Sequence, residues 1–175
     1  GQTLPKVLIA CDGYFYNGKT FSNLQKLAEL VPQLPSLVKT VVVPYVAQAR
    51  GQSLSVAAIA GAQVWEDALA PLTPQAVQYA AQPFDHPVYI LYSSGTTGAP
   101  KCIVHRAGGV PLKHLAEMRL QADIHPEDRV FFFTTCGWMM WNWLVSALSQ
   151  GATVCLYDGS PGVRDNAILF DYADA

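Results

Sequence analysis

Short, uninterrupted apolar runs alternate along this chain with segments whose apolar residues recur every three or four positions. A run of about five apolar residues predicts a buried strand, and the wider spacing predicts an amphipathic helix. Strands that alternate with helices are typical of layered α/β folds. We therefore expect an α/β protein, with layered sheets and flanking helices. The predicted strands are residues 7–11, 41–43, 88–92, 102–105, 130–134 and 153–157.

Residues 1–47 predict one strand–helix–strand segment of a first subdomain. The helix is expected to begin near Ser22, because Ser22 and Gln25 have capping-box spacing. An aromatic turn is predicted over residues 13–19. Because the helix joins two consecutive strands, those strands are expected to be parallel. The apolar face of the helix consists of Leu24, Leu27, Ala28 and Val31.

Residues 48–87 predict a helical connector that is interrupted by prolines, and residues 88–175 predict a second α/β subdomain. Helices are expected over 111–121 and 138–150 of this second part. Gly151 is expected to end the later helix, since glycine readily adopts the left-handed conformation found there. The predicted apolar face of that helix is Trp141, Leu144, Val145 and Leu148.

The composition excludes several classes of protein. Of the 175 residues, 51% are apolar and 14% are charged, with a net charge of −2. The apolar content excludes a disordered chain, and the charge balance argues against a nucleic-acid partner. No charged residue lies between 130 and 157, but the polar residues there favour a buried strand–helix–strand unit over a membrane span.

The cysteines and the ends of the chain lead to two expectations, one about cellular location and one about a longer parent polypeptide. No signal peptide is visible, and Cys11, Cys102, Cys136 and Cys155 lack the spacing of a zinc site. We expect reduced, buried cysteines in a cytoplasmic protein. Because residue 1 is glycine and the last residues read as the interior of an element, we expect an excised piece of a longer polypeptide.

The loop between the strands predicted at 88–92 and 102–105 is rich in glycine and hydroxyl side chains. Glycines allow the backbone to approach an anion, hydroxyls donate hydrogen bonds, and a lysine adds positive charge. These are the parts of a polyphosphate site. A surface turn rich in Ser and Thr is the alternative that composition leaves open. The loop consists of Ser93, Ser94, Gly95, Thr96, Thr97, Gly98, Ala99, Pro100 and Lys101.

Two other interpretations of this loop fail on its sequence. A Walker-type phosphate loop needs Gly-Lys-Ser/Thr, whereas Pro100 precedes Lys101 and Cys102 follows it. A hydrolase nucleophile elbow needs Gly-x-Ser-x-Gly, and no glycine stands two positions before Ser93 or Ser94.

The ten residues from Tyr92 to Lys101 resemble the phosphate-loop signature of the adenylate-forming acyl-CoA synthetase superfamily. The flanking residues 83–87, 102–105 and 134–143 are similar to those of the acetoacetate–CoA ligases within it. The resemblance covers most of the chain, which would be a fragment of the large N-terminal domain. It implies an AMP-forming reaction in which ATP activates a small carboxylic acid and the acyl group passes to CoA.

The resemblance also implies roles for individual residues. The loop would hold ATP with its Mg²⁺, and Lys101 would act as a catalytic residue. The ATP-binding residues would be Ser93, Ser94, Gly95, Thr96, Thr97, Gly98 and Lys101. The residues lining the acyl pocket would be Trp138, Met139, Met140 and Trp141.

Alternatives to this reading stay open. The apolar residues around Trp141 also fit a plain helix core. Later motifs of the superfamily are missing from these residues, so the isolated chain is expected to be inactive and to need the remainder of its polypeptide. An acetate, propionate or other acid–CoA ligase, or a non-catalytic nucleotide-binding module, are the competing functions. No metal ligand is assigned in this chain, and neither a membrane nor a nucleic acid is expected as a partner.

Overall fold

The computed structural model describes residues 3–93, 98 and 100–175. Its contacts divide the chain into two compact units. Unit 1 comprises Gly1–Ala76 with Asp158–Ala175, and unit 2 comprises Val77–Tyr157. The three-part division at residues 47 and 87 stays a prediction.

Unit 1 is built on a three-stranded parallel sheet with a separate hairpin. The sheet order is first, fourth and fifth strand, and Val7 to Cys11 pair residue by residue with Lys39 to Val43. The predicted parallel strand–helix–strand unit is therefore confirmed. The elements are β1 (Val7–Cys11), β2 (Gly13–Tyr16), β3 (Lys19–Ser22), α1 (Leu24–Leu30), β4 (Lys39–Val43), α2 (Tyr45–Ala49), β5 (Ala62–Val64), α3 (Trp65–Leu69) and the late helix α6 (Ile168–Asp174).

The predicted aromatic turn is an antiparallel hairpin of β2 and β3. Asn17 and Gly18 both have positive φ, 49° and 71°, which suits the right-handed twist of a two-residue hairpin turn. Tyr14 stacks on Phe21 with ring centroids 5.0 Å apart. A Cβ on Gly13 would overlap the carbonyl oxygen of Phe21, so this position requires glycine.

Two details of unit 1 correct the sequence analysis. Helix α1 begins at Leu24 with Asn23 as its N-cap, and the expected Ser22–Gln25 capping box does not form. Ser22 instead accepts a hydrogen bond from the Leu24 amide at 3.3 Å. Strand β5 lies in the segment predicted to be a helical connector, because three residues are too few to show a strand period but suffice to pair with buried β4.

The core of unit 1 lies between α1 and the sheet. Leu27, Val31, Val42 and Ile59 form the buried cluster. Two of the four predicted apolar positions, Leu27 in α1 and Val31 directly after it, are buried as the helical spacing predicted.

Asp12 joins four elements of unit 1. Its buried carboxylate accepts hydrogen bonds from the amides of Val46 and Ala47, both at 2.8 Å. Those amides belong to the first turn of α2, where backbone donors lack partners within the helix. Its own amide bonds the Val43 carbonyl, and its carbonyl accepts from the Asn23 amide. One residue thus ties β1 to β4, α1 and α2.

Unit 2 begins with an antiparallel pair of strands. Ile90 pairs with Val104, and Ser93 pairs with Lys101 at the end of the hairpin next to its connecting loop. A second, parallel pair contains only two residues on each strand. The elements are β6 (Pro87–Ser93), β7 (Lys101–Arg106), α4 (Gly109–Ala116), a π-helical turn (Glu117–Gln121), β8 (Arg129–Val130), α5 (Met139–Val145), a 3₁₀ turn (Ser146–Gln150) and β9 (Thr153–Val154).

Strands predicted at 130–134 and 153–157 are therefore too long. The first contributes only Val130, which pairs next to Arg129, and the second contributes Thr153 and Val154; a bond from the Cys155 amide to the Val130 carbonyl closes the ladder. The apolar side chains of Phe132 and Phe133 line a pocket rather than a sheet.

The predicted helix over 138–150 changes type after Val145. Gly151, with φ of 78°, ends it as expected. Leu148 is 59% exposed, contrary to the predicted apolar face, whereas Ala147 is fully buried. The 3₁₀ turn explains this difference, since it advances 120° per residue and brings position i+3 rather than i+4 under Leu144.

Met118 is the largest fully buried side chain of unit 2. It packs in one cluster with Ile124, Ala147 and Ala152, and partly buried Trp143 joins this cluster. The π-helical turn, the 3₁₀ turn and the β8–β9 pair thus share one core.

Two further sequence expectations concern the cysteines and a membrane span. Three of the four cysteines, Cys11, Cys102 and Cys136, are exposed, so the expectation of buried cysteines is wrong for them; none of the four forms a disulfide. Cys102, for example, stands opposite Tyr92 on the β6–β7 pair, where both strands have exposed residues on one face. Within the described ranges, no helix has the length and apolarity to cross a bilayer.

Replacing Met118 with alanine is expected to lower the free energy of unfolding by about 2–4 kcal/mol, because the cavity would sit where four elements meet. Chemical denaturation monitored by tryptophan fluorescence measures the loss. The matched control is Met118→Leu, which nearly conserves volume and should cost less than about 1.5 kcal/mol. Equal stability of the alanine variant and the wild type would contradict the central role of Met118.

Candidate functional site

The glycine- and hydroxyl-rich loop is carried between β6 and β7. The last register pair before the loop is Ser93 with Lys101, so these two residues face each other across its open end. Ser93 is half-buried and Lys101 is exposed. Four further residues predicted to bind phosphate lie outside the described residues: Ser94, Gly95, Thr96 and Thr97.

Gly98 is the described glycine of the loop. Its φ is +145°, a conformation that side chains with a Cβ rarely adopt, and no heavy atom lies within 4 Å of the place a Cβ would take. Backbone conformation, not lack of space, therefore requires glycine at this position.

Tyr92 and Cys102 form the register pair next to the loop mouth. Desolvation raises the pKa of Tyr92 above 10.0, and the neighbouring Cys102 raises it further. Tyr92 therefore stays a neutral phenol near pH 7.

A largely apolar concavity of about 330 Å³ lies where the chain passes from β8 to α5. We call it the Trp–Met pocket. Trp138 is 70% exposed at its rim, and Trp141, predicted beside it, is half-buried on α5 and is not among the lining residues. The lining residues are Phe132, Phe133, Thr134, Thr135, Trp138, Met139 and Met140.

Four of these lining residues, 132–135, were missed by the sequence analysis, which placed 132–134 in a strand and gave none of the four a role. The signal was the pair Thr134-Thr135, two residues before Gly137, because two hydroxyls at the end of an aromatic run suit a pocket wall. Periodicity could not show this, since a strand and an extended pocket wall have the same backbone repeat.

Two aromatic pairs support the pocket. Phe132 meets the edge of Trp143 with centroids 6.2 Å apart, and Phe133 lies 6.4 Å from Tyr157. Trp143 belongs to the Met118 cluster and also hydrogen-bonds Glu117. The pKa of Glu117 is lowered mainly by the hydrogen bond from Lys113 and also by this bond from Trp143. The core of unit 2 therefore holds one wall of the pocket.

A second concavity, of about 360 Å³, lies between β7 and α4. No role was predicted for this concavity from the sequence. Its two permanent cations already have partners: Arg106 pairs with Asp85 at 2.7 Å, and Lys113 pairs with Glu117 at 2.8 Å. The lining residues are Val104, His105, Arg106, Gly109, Val110, Lys113 and His114.

His114 links α4 to the 3₁₀ turn. Its Nδ1 lies 2.8 Å from Ser146 Oγ, and that hydroxyl donates to the Asn142 carbonyl at 2.9 Å. Since the hydroxyl proton is committed to Asn142, Nδ1 carries the proton in the His114–Ser146 bond. Burial lowers the pKa of His114 below 6.5; Glu117 opposes this, and His105 and Lys113 add to it.

Other polar side chains have structural partners. His125 contacts Asp123 at 2.9 Å, and Tyr45 donates a short hydrogen bond to Asp158. That bond is the main reason the pKa of Tyr45 is raised. Across residues 3–93, 98 and 100–175, no three His, Cys, Asp or Glu side chains stand close enough to hold a metal ion.

Comparison with known proteins gives consistent results. The model of the family described as AMP-binding enzyme matches residues 2–175. The acetoacetyl-coenzyme A synthetase of Rhizobium meliloti (strain 1021) is 49% identical over 176 residues, covering 100% of this chain and 26% of that protein. The malonamoyl-CoA synthetase vrtB of Penicillium aethiopicum is 44% identical over 162 residues, covering 91% of this chain and 22% of that protein.

A solved structure agrees with these matches. The acetoacetyl-CoA synthetase from Streptomyces lividans superposes with a TM-score of 0.80 at 42% identity, covering 95% of this chain and 24% of that one. The expected α/β fold and the resemblance to the adenylate-forming enzymes are therefore confirmed. The chain spans about a quarter of the length of the relatives it matches.

The lowered pKa of His114 predicts how stability depends on pH. The neutral imidazole is favoured in the folded state, so its contribution is complete above pH 6.5 and is lost as pH falls through the folded-state pKa. We expect the free energy of unfolding to decrease between pH 7.5 and pH 5, and His114→Gln to make this decrease shallower.

Denaturant titrations at a series of pH values measure this slope. His86→Gln, at an exposed turn, is the control for losing a histidine that lies outside the α4 contact. A His114→Gln slope as steep as that of the wild type would contradict the assignment.

Proposed function

Because this chain belongs to the AMP-binding enzyme family, we propose that it is part of an ATP-dependent acid–CoA ligase that acts on acetoacetate. The observation that carries the proposal is the hairpin that sets Ser93 opposite Lys101 at the mouth of the phosphate-loop sequence, in a chain 49% identical to an acetoacetyl-coenzyme A synthetase.

The proposed reaction has two steps. An oxygen of the acid's carboxylate forms a bond to the α-phosphorus of ATP, the bond to the β-phosphate breaks, and pyrophosphate leaves. The sulfur of CoA then attacks the acyl carbon, AMP leaves with the electron pair of the broken C–O bond, and the thiol proton is released. Both steps expel an oxyanion, so both gain from fixed donors and positive charge.

The loop is proposed to hold the β- and γ-phosphates of ATP. Lys101 is exposed at the first position of β7, and none of the ion pairs among the described residues involves it, so its ammonium can approach a ligand over the loop. Gly98 supplies the backbone freedom that close approach requires. The proposed ATP-binding residues remain Ser93, Ser94, Gly95, Thr96, Thr97, Gly98 and Lys101, with Lys101 as the catalytic one.

Magnesium enters this proposal only with ATP. The part of the chain that the structure describes brings no three candidate ligands together, so it does not fit a resident metal ion. Phosphate oxygens and water are the ligands that Mg²⁺ commonly keeps when it accompanies a nucleotide. No step is assigned to the ion here.

The Trp–Met pocket is proposed to take the acyl chain. Trp138, Met139 and Met140 give it a compact apolar wall, and Trp141 is proposed to support that wall from the helix. The names of two relatives, acetoacetyl- and malonamoyl-CoA synthetase, refer to acids that share a feature: both carry a carbonyl at position 3. We therefore propose short 3-oxo acids as the substrate class.

The remainder of the polypeptide is a proposed partner of this chain. The face of the β6–β7 pair that carries Val88, Ile90 and Val104 is apolar and exposed, with about half of each side chain accessible. Faces of this kind are usually covered. Relatives four times as long supply enough chain to cover it. A cytoplasmic location, where ATP and CoA are available, belongs to the same proposal.

The test uses the longest natural polypeptide that contains these residues. Mg-ATP, CoA and a panel of acetate, propionate, butyrate, acetoacetate and malonamate are supplied, and AMP release is coupled to thioester formation. We expect kcat/KM to be highest for acetoacetate or malonamate. Preference for a saturated acid would contradict the substrate class, and ATP binding without reaction of any acid would favour a non-catalytic module.

Replacing Lys101 with alanine is expected to slow adenylate formation about 100-fold, because the charge on the departing pyrophosphate loses a fixed partner. Acid-dependent exchange of pyrophosphate into ATP isolates this step. Lys101→Arg should restore part of the rate. Lys26→Ala, on the exposed side of α1, is the matched control. An unchanged exchange rate in Lys101→Ala would remove this residue from the catalytic machinery.

A further inference from the structure

We infer that Trp143 positions one wall of the Trp–Met pocket from behind and thereby sets the size of the acid that the pocket accepts. Trp143 is not among the lining residues, so it is a positioning residue that acts through Phe132. This inference rests on the proposed function and assigns selection among 3-oxo acids of different length to a side chain outside the pocket.

The two sides of the pocket are held in place differently. Met139 and Met140 belong to the first turn of α5, so the helix backbone determines where they stand. Phe132 and Phe133 lie beyond Val130, the last residue of β8 that pairs with β9. The position of these two rings therefore depends on the side chains against which they pack.

Phe132 packs against Trp143. The ring centroids lie 6.2 Å apart and the ring planes are inclined by 67°, which is the edge-to-face arrangement that aromatic pairs favour. Phe132 is 42% exposed, so part of its ring rests on the protein while part is left for the pocket. A displacement of the Trp143 ring would therefore move this part of the pocket wall.

Trp143 is held by two kinds of contact. Its ring packs against the buried cluster that contains Met118. Its indole N–H hydrogen-bonds the Glu117 carboxylate, which Lys113 holds at 2.8 Å. Apolar packing fixes the depth of the ring, and the directional hydrogen bond fixes its orientation. Trp143 thus gives Phe132 a rigid support.

The second aromatic contact of the pocket serves as a comparison. Phe133 also lines the pocket and lies 6.4 Å from Tyr157. Tyr157 is the last residue of unit 2, whereas Trp143 packs into the core of that unit. We therefore assign the control of pocket size to Trp143 and keep Tyr157 as the alternative that the experiment tests.

Three acids separate a positioning role from a general loss of stability. Acetoacetate, 3-oxopentanoate and 3-oxohexanoate share the carboxylate and the carbonyl at position 3, and each is one methylene longer than the one before. One methylene in an apolar pocket changes kcat/KM by roughly 10-fold or more. Partial unfolding lowers kcat/KM equally for all three acids, so it leaves their ratios unchanged.

The experiment uses the full polypeptide and compares kcat/KM for the three acids in Trp143→Phe. The smaller ring lacks the indole N–H and leaves space into which Phe132 can move. We expect the ratio of kcat/KM for 3-oxohexanoate to that for acetoacetate to rise roughly 10-fold, with KM for ATP changed less than about twofold. Trp65→Phe, which alters another half-buried tryptophan on α3, is the matched control and should keep the wild-type ratio.

A double-variant comparison tests whether Trp143 acts through Phe132. Phe132→Leu should raise the same ratio, and the variant that combines it with Trp143→Phe should show no more than the larger single effect, because residues that act through one contact are not additive. Glu117→Leu, at a partly exposed side chain, removes the acceptor of the indole and should shift the ratio in the same direction. Glu117→Gln keeps an acceptor and should retain the wild-type ratio.

Several outcomes would overturn the inference. These are an unchanged or lower ratio in Trp143→Phe, additive effects in the double variant, a shift in Tyr157→Leu without one in Trp143→Phe, and a wild type that uses the three acids equally. If Trp143→Phe does not fold, an unchanged ratio in Glu117→Leu overturns it instead. If the wild-type polypeptide activates no acid, the proposed function itself fails, which no variant can imitate.

Discussion

The packing of Met118 at the centre of unit 2 is the constraint on which the candidate acyl pocket depends. Met118 is inaccessible to solvent and brings the π-helical turn, the 3₁₀ turn and the short β8–β9 pair into one core. Trp143 reaches from that core to Phe132 in the pocket. Because close-packed interiors transmit small displacements, the position of the pocket wall follows from how this core is filled.

The phosphate-loop hairpin depends on a different kind of interaction. Antiparallel pairing of β6 and β7 fixes Ser93 opposite Lys101 through backbone hydrogen bonds, which do not depend on side-chain identity. The register therefore places Lys101 beside the phosphate loop. It does not restrict the polarity of the other side chains, so the exposed face of the hairpin can be apolar. Two strands alone are marginally stable, which agrees with the proposal that further polypeptide covers this face.

The sequence predicted the candidate site unevenly. The loop was recognised because its chemistry resides in consecutive residues, and Trp138, Met139 and Met140 were identified by their resemblance to a family. Phe132, Phe133, Thr134 and Thr135 were missed, because pocket lining depends on where the chain leaves the sheet. That point was misjudged by four residues, since only Arg129 and Val130 find strand partners.

The sequence by itself determined the α/β class, the parallel pairing of β1 with β4, the turn at Asn17-Gly18 and the end of the 3₁₀ turn at Gly151. These follow from local periodicity and backbone preference, which act within a few residues. Only the tertiary structure decided that Ala147 rather than Leu148 is buried, that Asp12 caps α2, and that Phe132 and Phe133 line a pocket. Each of these depends on contacts between separate elements or on a change of helix type. The local sequence pattern does not specify either of them.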